Sequence, residues 1–440
     1  MKVVIIGGDA AGMSAAMEIV RNVENAQIVV LERGDIYSYG QCGLPYVIDG
    51  RVSHVDNLIA RSVTEFRDKY NIDARTSYEV TEINPSAQVV KGFDRHTGKA
   101  FEQSYDKLLI ATGASPVMPD WPGSQLEGIH HVKTIPHMEQ LLTELPSVKR
   151  ATVIGGGYIG LEVTEALSKR GVKVTLIERT KHLLPALHDS LATAIYNTAI
   201  ANGVDVRLNE TVLSFTGDTR VASVETTLGK YETDLVIVSA GVRPNTQFAH
   251  DFNKLPNGAL IVNEKMETSI PHVFAAGDCA SHFHRLKGVD DYVPLGTTAN
   301  KQGRIAGRVM AGLDATFNGI VGTSILQFFE LQIGMTGISV EEATALEMDA
   351  VMYDWETNAF AGYYETPPKL KFHIVIERIS KRLLGLQMIG EMGVDKRIDV
   401  FATALYNGMT LPQLLDVDIS YSPPFNGVWD PLQQVAKRYS

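Results

Sequence analysis

Two glycine-rich turns constrain the fold of this 440-residue chain more than any other feature. Gly7 to Gly12 follows a β-branched run and opens a helix-like segment, and Gly155 to Gly160 does the same. A second β-branched run follows each helix and ends at an acidic residue, Glu32 or Glu178. Strand, turn, helix and strand in this order are typical of the Rossmann dinucleotide-binding unit. The sequence therefore predicts an α/β protein with two nucleotide-binding domains of one type.

The second turn has the complete GxGxxG pattern. Its first glycine makes the bend, its second lets backbone approach a pyrophosphate, and its third lets the helix pack closely. The residues predicted to contact the nucleotide are Gly155, Gly157, Tyr158, Ile159 and Gly160. Glu178 lies 18 residues after Gly160, where its carboxylate can accept hydrogen bonds from ribose hydroxyls and disfavours a 2′-phosphate. NADH is therefore favoured, although the adjacent Arg179 leaves NADPH open.

The first turn departs from the pattern. Asp9 occupies its middle glycine position, where a diphosphate is expected to pass. Glu32, 20 residues after Gly12, nevertheless has the spacing of a ribose-binding acid. This turn is also predicted to bind a nucleotide, with the role of Asp9 left open.

Three short apolar runs end in small or polar residues. Residues 107–110 lead into Ala111-Thr112-Gly113, residues 234–238 lead to Gly241, and residues 273–276 lead to Gly277-Asp278. Glycine at the end of a buried strand marks a place where backbone can come close to a ligand. These loops are therefore predicted to border the two nucleotide sites.

Charge and cysteine content exclude several functions. The formal net charge of −11 argues against broad binding of nucleic acids or anionic membranes. No apolar run reaches the roughly 18 residues of a membrane span. The two cysteines, Cys42 and Cys279, cannot form a disulfide framework, so a cytoplasmic location is expected. Cys279 with His282 and His284 matches no zinc-binding spacing, so no metal is expected.

Cys42 is the candidate redox residue. Small and polar residues surround it, and Pro45 is suited to the first turn of a helix that starts near Cys42. A thiol at a helix start is expected to have a lowered pKa. Because no second cysteine lies nearby, the oxidised form must be a sulfenic acid or a mixed disulfide with a small thiol.

Two segments resemble a known family. The cysteine loop Ser38 to Tyr46 and the segment Tyr421 to Phe425 resemble motifs of the single-cysteine pyridine nucleotide–disulfide oxidoreductases, most closely the coenzyme A-disulfide reductases. The resemblance implies a discontinuous FAD-binding domain (1–117 and 246–318), an NAD(P)H-binding domain (118–245) and an α+β dimerisation domain (319–440). It also implies a homodimer.

The resemblance assigns roles residue by residue. For FAD it implies Gly7, Gly8, Ala11, Gly12, Glu32, Arg33, Cys42, Val80, Ala111, Thr112, Gly113, Gly277 and Asp278. For NAD(P)H it adds Glu178 and Gly241 to the second turn. For coenzyme A it implies Ser14, Arg21, Ser38, Gln41 and Asn300. Two tyrosines, Tyr363 and Tyr421, are expected to reach the cysteine of the partner subunit.

The implied activity is reduction of coenzyme A disulfide by NAD(P)H, through FAD and a mixed disulfide between Cys42 and coenzyme A. Two alternatives remain. The same cysteine could reduce persulfide, polysulfide or peroxide, or serve an NADH oxidase, although related oxidases have a histidine in the first turn, where this chain has Asp9, Ala10 and Ala11. A flavoprotein that reduces a protein electron acceptor would need no cysteine.

Overall fold

The computed structural model describes residues 1–439. Its first sheet is parallel and has five strands. The strand Lys2–Ile6 is buried along nearly its whole length, as expected for β-branched residues in the middle of a parallel sheet that is covered on both faces. In spatial order the strands are Val273–Ala275, Lys107–Ile110, Lys2–Ile6, Gln27–Leu31 and Asp73–Arg75. The first predicted strand, turn, helix and strand are thereby confirmed.

Two long helices of this region pack along one another. Ala10–Asn22 follows the first turn, and Gly296–Met310 lies against it. Gly303 and Gly307 permit this approach, because a Cβ on either would overlap the backbone of the first helix. The shorter helices are Pro45–Ile48 and Val63–Tyr70, with 3-10 turns at Gln41–Gly43 and Val55–Leu58. The antiparallel strands are Tyr78–Asn84, Val89–Asp94 and Ala100–Ser104, and the pair His282–His284 and Val289–Asp291.

The second sheet repeats the parallel design. Its strands, in spatial order, are Asp205–Arg207, Lys173–Ile177, Arg150–Ile154, Leu235–Val238 and Ile129–His130. The helices are Ile135–Glu144, Tyr158–Lys169 and Asp189–Ala201, with a 3-10 turn at Leu145–Ser147. A small antiparallel sheet contains Val212–Gly217, Val221–Thr226 and Lys230–Glu232. The second predicted nucleotide-binding unit is therefore confirmed as a fold element.

The chain passes between the two parallel sheets at a two-stranded crossing. Ala114–Pro116 and Val242–Pro244 pair antiparallel, one on the way out of the first sheet and the other on the way back. The strand Val273–Ala275 then rejoins the first sheet beside Lys107–Ile110.

The C-terminal region has an antiparallel sheet of five strands. In spatial order they are Ser324–Phe328, Leu331–Gly337, Leu383–Gly390, Lys369–Glu377 and Ala350–Asn358. The helices are Val340–Ala345, Val394–Tyr406, Leu411–Leu415 and Pro431–Tyr439. Phe328 and Ile333 share a core with Leu161 of the second region, so this sheet also packs on its neighbour. Within residues 1–439, no helix has the length and apolar content needed to cross a membrane.

Candidate active site

The two glycine turns have the shape that a dinucleotide requires. A Cβ on Gly7 would overlap the carbonyl of Ala111, and a Cβ on Gly12 would overlap that of Gly7. In the second turn a Cβ on Gly160 would likewise overlap the carbonyl of Gly155. At Gly157, by contrast, no atom lies within 4 Å of the position a Cβ would take. Each turn is thus tight on its inner side, and the second has an open outer side where a pyrophosphate fits.

The two predicted acids occupy equivalent places. Glu32 Oε2 accepts a hydrogen bond from the N–H of Gly8 at 2.8 Å, and Glu178 Oε2 accepts one from the N–H of Gly156 at 2.7 Å. Both carboxylates therefore lie beside their turns, as the spacing predicts. Arg179, next to Glu178 in the sequence, is exposed, so a positively charged side chain is adjacent to the acid.

The predicted loops border the first turn to different extents. Ala111 contacts Gly7, and Gly277 adjoins Ala11. Gly277 is held by its N–H, which donates to Gln302 Oε1 at 2.9 Å.

The remaining predicted residues are held by other contacts, and the backbone N of Thr112 also lies 3.3 Å from the position of a Cβ on Gly7. Arg33 donates to Ser115 Oγ at 3.1 Å, and Thr112 donates to the carbonyl of Asn245 at 2.6 Å. Val80 is buried within its strand, where it is part of the core of the first region. Gly241 has a positive φ of 101° and open space at its Cβ position.

Cys42 is exposed, but the pKa of its thiol is raised and not lowered. It lies in the 3-10 turn Gln41–Gly43, whereas the helix begins only at Pro45 and has four residues. Burial by surrounding protein atoms raises the pKa of the thiol, the carboxylate of Glu162 raises it further, and Lys133 opposes both effects. The predicted lowering of the pKa is therefore wrong, because a four-residue helix supplies too weak a dipole to offset burial and a nearby anion.

Glu162 is a site residue that the sequence did not reveal. It lies on the helix Tyr158–Lys169, and Tyr46 Oη donates to its Oε1 at 3.1 Å. Burial raises the pKa of Glu162. The second unit thus places an acid beside the cysteine of the first.

Cys279 is fully buried, and its thiol donates to the carbonyl of Ile110 at 3.3 Å. His282 and His284 are buried nearby on a strand. Across residues 1–439, no three His, Cys, Asp or Glu side chains come together as metal ligands. Cys42 is therefore the cysteine that a substrate can reach.

The loop before Cys42 is tied to the first turn. The N–H of Ser38 donates to the carbonyl of Gly8 at 3.0 Å. Asp9 Oδ2 accepts a hydrogen bond from Gln41 Nε2 at 2.7 Å, and its Oδ1 accepts one from the N–H of Tyr39 at 3.1 Å. Asp9 therefore connects the nucleotide turn to the redox loop.

The other predicted substrate residues form a row along the two packed helices. Ser14 Oγ donates to Asn300 Oδ1 at 2.8 Å. Further along, Arg21 lies 3.0 Å from the buried carboxylate of Glu18. Arg304 and Arg308 approach the same carboxylate at 3.9 and 3.6 Å, and neither was predicted from the sequence. Three guanidinium groups thus share one carboxylate, which leaves a local excess of positive charge.

The predicted tyrosines meet on the C-terminal region. Tyr363 Oη and Tyr421 Oη lie 2.5 Å apart, and the hydrogen bond between them raises the pKa of Tyr363. Their side chains remain 75% and 46% exposed. The neighbouring Tyr364 instead packs edge-on against Phe360, so Tyr363 is the residue that pairs with Tyr421. Among the hydrogen bonds of residues 1–439, none joins either tyrosine to the loop of Cys42.

A buried arginine supports both tyrosine segments. Arg397, 1% exposed, forms an ion pair with Asp430, with Nε 3.0 Å from Oδ2. Its Nη2 donates to the carbonyl of Ala359 and to Asn426 Oδ1. Asn426 in turn donates to the carbonyl of Ser420, next to Tyr421. No local sequence pattern indicates this network, because its members lie up to 71 residues apart.

Comparison with known proteins identifies the family. Residues 1–303 match the family described as pyridine nucleotide-disulphide oxidoreductase, and residues 323–432 match its dimerisation domain. The chain belongs to this family. It is therefore an oxidoreductase that depends on FAD and NAD(P)H, as the paired turns indicate.

Relatives of this oxidoreductase have several names. An NAD(P)H coenzyme A polysulfide/persulfide reductase of Pyrococcus horikoshii is 35% identical, with 99% of this chain and 98% of the relative covered. An NADH oxidase of Enterococcus faecalis is 33% identical, covering 99% of both. A coenzyme A disulfide reductase of Staphylococcus haemolyticus is 29% identical, covering 97% and 96%. The solved NAD-dependent persulfide reductase of A. fulgidus superposes with a TM-score of 0.96 at 34% identity, covering all of this chain and 82% of that one.

Proposed function

We propose that this oxidoreductase reduces disulfides of coenzyme A, at Cys42, with electrons from NAD(P)H. The first parallel sheet, with its turn at residues 7–12, would hold FAD, and the second, with its turn at residues 155–160, would hold NAD(P)H. When bound, FAD accepts a hydride from the nicotinamide and passes two electrons to sulfur. The observation that carries the proposal is the arrangement of residues along the helix Ala10–Asn22. The loop of Cys42, with its exposed thiol, is bonded to the start of this helix, and the cluster of Arg21, Arg304 and Arg308 lies near its end.

Cys42 would act as the nucleophile. Because Cys279 is buried, the sulfur that pairs with Cys42 must come from the substrate. The Cys42 thiolate attacks one sulfur of the substrate disulfide, the S–S bond breaks, and one coenzyme A leaves as its thiolate. Two electrons then split the Cys42–S–S–CoA bond, which releases the second coenzyme A and restores the Cys42 thiolate.

The cationic end of the row favours a thiol with a long, phosphorylated arm. Asp9 contacts the cysteine loop at the start of the helix Ala10–Asn22, and Arg21 lies near the helix end. At about 1.5 Å per residue, these two residues are roughly 18 Å apart along the helix. Ser14 and Arg21 face the same side, because residues three and four apart share a helix face. Coenzyme A, whose phosphates lie far from its sulfur, matches this separation.

The arginine cluster would hold the phosphates. The side chains of Arg21, Arg304 and Arg308 are 56%, 57% and 30% exposed, so their N–H groups can reach a ligand. Guanidinium groups bind phosphate oxygens through paired hydrogen bonds. In a chain with a net charge of −11, this local cationic patch stands out.

The tyrosine pair would assist the leaving sulfur in a homodimer. Both hydroxyls are exposed on the region that matches the dimerisation domain. Facing Cys42 of the partner subunit, they would donate hydrogen bonds to the thiolate as it forms, which stabilises its charge.

The test is the mass of the purified protein under denaturing, non-reducing conditions. We expect an adduct with the mass of coenzyme A, lost on adding thiol. Cys42→Ser should carry no adduct and should not reduce coenzyme A disulfide, whereas the matched Cys279→Ser should behave as the wild type. A Cys42→Ser protein that keeps its NAD(P)H-driven activity would refute the proposal and indicate a protein electron acceptor.

A second candidate is reduction of a persulfide of coenzyme A. The same row of residues, with its arginine cluster, would bind the persulfide, and the relative from Pyrococcus horikoshii carries the corresponding name. Sulfide release distinguishes the two activities: a persulfide yields sulfide for each NADH consumed, whereas coenzyme A disulfide yields only thiol.

A further inference from the structure

Asp9 stands where the second unit has Gly157. Both residues immediately precede a helix and have extended backbone, with φ −113° and ψ −153° at Asp9 and φ −81° and ψ −169° at Gly157. Neither conformation requires glycine, so the substitution strains nothing. What distinguishes the first turn is therefore the carboxylate, which occupies space that is open in the second.

This carboxylate does not cap its own helix. An aspartate before a helix commonly accepts a hydrogen bond from the N–H of the second or third helical residue, but the side chain of Asp9 makes no such capping bond. Its two oxygens instead accept from Gln41 Nε2 and from the N–H of Tyr39. Gln41 opens the 3-10 turn that contains Cys42, so the carboxylate acts on the residue adjacent to the thiol.

The bond to Gln41 fixes the direction of its amide. An ionised carboxylate can only accept, so Gln41 must present its NH2 group to Asp9 and turn its oxygen away. We propose that Asp9 is a positioning residue that makes Gln41 offer its oxygen, and not its nitrogen, to the amide N–H groups in the arm of coenzyme A. This inference rests on the proposed function, which places that arm beside Gln41.

The charges around Asp9 make this arrangement sensitive to pH. Burial raises the pKa of Asp9 to about 6, the hydrogen bonds from Gln41, Tyr39 and Ala10 lower it, and the carboxylate of Glu32 raises it. The phenol of Tyr39 also faces Asp9 and hydrogen-bonds with the Gln41 side chain, and it is neutral in this range because burial raises its pKa. Above pH 6 the carboxylate accepts from Gln41. Below pH 6 a protonated Asp9 can donate, so the Gln41 amide can turn over and offer nitrogen to the substrate.

The experiment compares KM and kcat for coenzyme A disulfide between pH 5 and 8. Asp9→Asn keeps an oxygen for the N–H of Tyr39 and presents its NH2 group to Gln41, which turns the Gln41 amide over. Asp9→Gly restores the glycine found in the second turn. For both we expect KM at pH 8 to rise about fivefold, the loss of one hydrogen bond, with a smaller change in kcat. The wild-type KM should rise below pH 6, and that of the variants should not. Asp218→Asn, an exposed site elsewhere, is the matched control.

A second readout does not depend on the substrate. The rate at which iodoacetamide alkylates reduced Cys42 should show a step near pH 6 in the wild type, because the hydrogen bonds between Asp9 and the Cys42 loop change there. Asp9→Asn should lack that step. Burial also raises the pKa of Glu162, which influences the Cys42 thiol. Because Glu162 is present in both proteins, its contribution cancels when the alkylation rates of the wild type and Asp9→Asn are compared.

Two outcomes overturn the inference. One is an unchanged KM and unchanged pH profiles in both variants. The other is an equal loss of FAD content, kcat and kcat/KM, which would mean that Asp9 only supports the fold. If the wild type does not reduce coenzyme A disulfide at all, the proposed function fails, and the alkylation step still decides whether Asp9 controls the loop.

Discussion

The buried ion pair between Arg397 and Asp430 should dominate the stability of the C-terminal region. Both side chains are almost completely buried, at 1% and 2% exposure. Asp430→Asn keeps the shape of the side chain but removes its charge. Arg397 would then remain buried without a counter-ion, although the carbonyls of Gly393 and Ala359 would still accept its N–H groups.

The expected cost can be worked out from this geometry. Removing one partner of a buried ion pair typically costs about 3–5 kcal/mol. Because Arg397 keeps its neutral acceptors, we expect the lower end, about 3 kcal/mol. For a domain of this size that corresponds to a fall in Tm of roughly 10 °C. Replacing both residues, as Arg397→Met with Asp430→Leu, should recover part of the loss, since no unpaired charge remains. The recovery is incomplete because the carbonyl of Ala359 and the N–H of Leu432 lose their hydrogen-bond partners.

A matched control lies in the same C-terminal region. Arg378 and Asp349 also form a pair with Nε 3.0 Å from Oδ1, but their side chains are 58% and 56% exposed. Asp349→Asn should therefore cost less than about 1 kcal/mol. Thermal unfolding followed by far-ultraviolet circular dichroism measures both variants. Equal Tm values for the two single variants, or no recovery in the double variant, would show that burial does not control the strength of this pair.

Three further predictions concern the site. Tyr421→Phe should slow turnover of coenzyme A disulfide about tenfold without changing FAD content, measured by steady-state kinetics and flavin absorbance; normal turnover would exclude its role with the leaving thiolate. Glu162→Gln should lower the pKa of Cys42, because the carboxylate of Glu162 raises it. Alkylation of Cys42 at pH 7 should then become a few-fold faster. An unchanged curve of alkylation rate against pH would contradict this. Gly157→Ala should fold but bind NADH weakly, whereas Gly160→Ala should be destabilised by about 2 kcal/mol or more, because its Cβ would overlap backbone. NADH titration measures the first effect and thermal unfolding the second. Equal behaviour of the two variants would contradict the finding that space is open at Gly157 and closed at Gly160.

The two parallel sheets were predictable because their signals are local. The strands Lys2–Ile6 and Gln27–Leu31 begin and end where the β-branched runs do. The antiparallel C-terminal sheet was expected only as mixed structure, because its long strands contain no comparable turn motif. Ser14 and Asn300 were predicted as members of one site and lie within hydrogen-bonding distance, although 286 residues separate them in sequence.

The electrostatics of the site could not be predicted in the same way. The helix start near Cys42 indicated a lowered pKa, but Glu162 and Lys133 come from the other unit, at least 91 residues further along. Nor could the sequence show that Arg397 is buried, since arginine is normally exposed. Side chains that meet only through tertiary packing carry no local pattern, and here they shift the pKa of the thiol and support the tyrosine segments.

The exposed tyrosine pair has a genetic consequence. If each thiol is served by tyrosines of the partner subunit, a homodimer without Cys42 is inactive and a homodimer without Tyr421 is slowed at both sites. Mixed dimers of the two chains would contain one site with both groups intact, so co-expression of the two defective alleles should restore up to half of the wild-type activity per mixed dimer. The damage done by one allele would then depend on which other allele is present in the same cell.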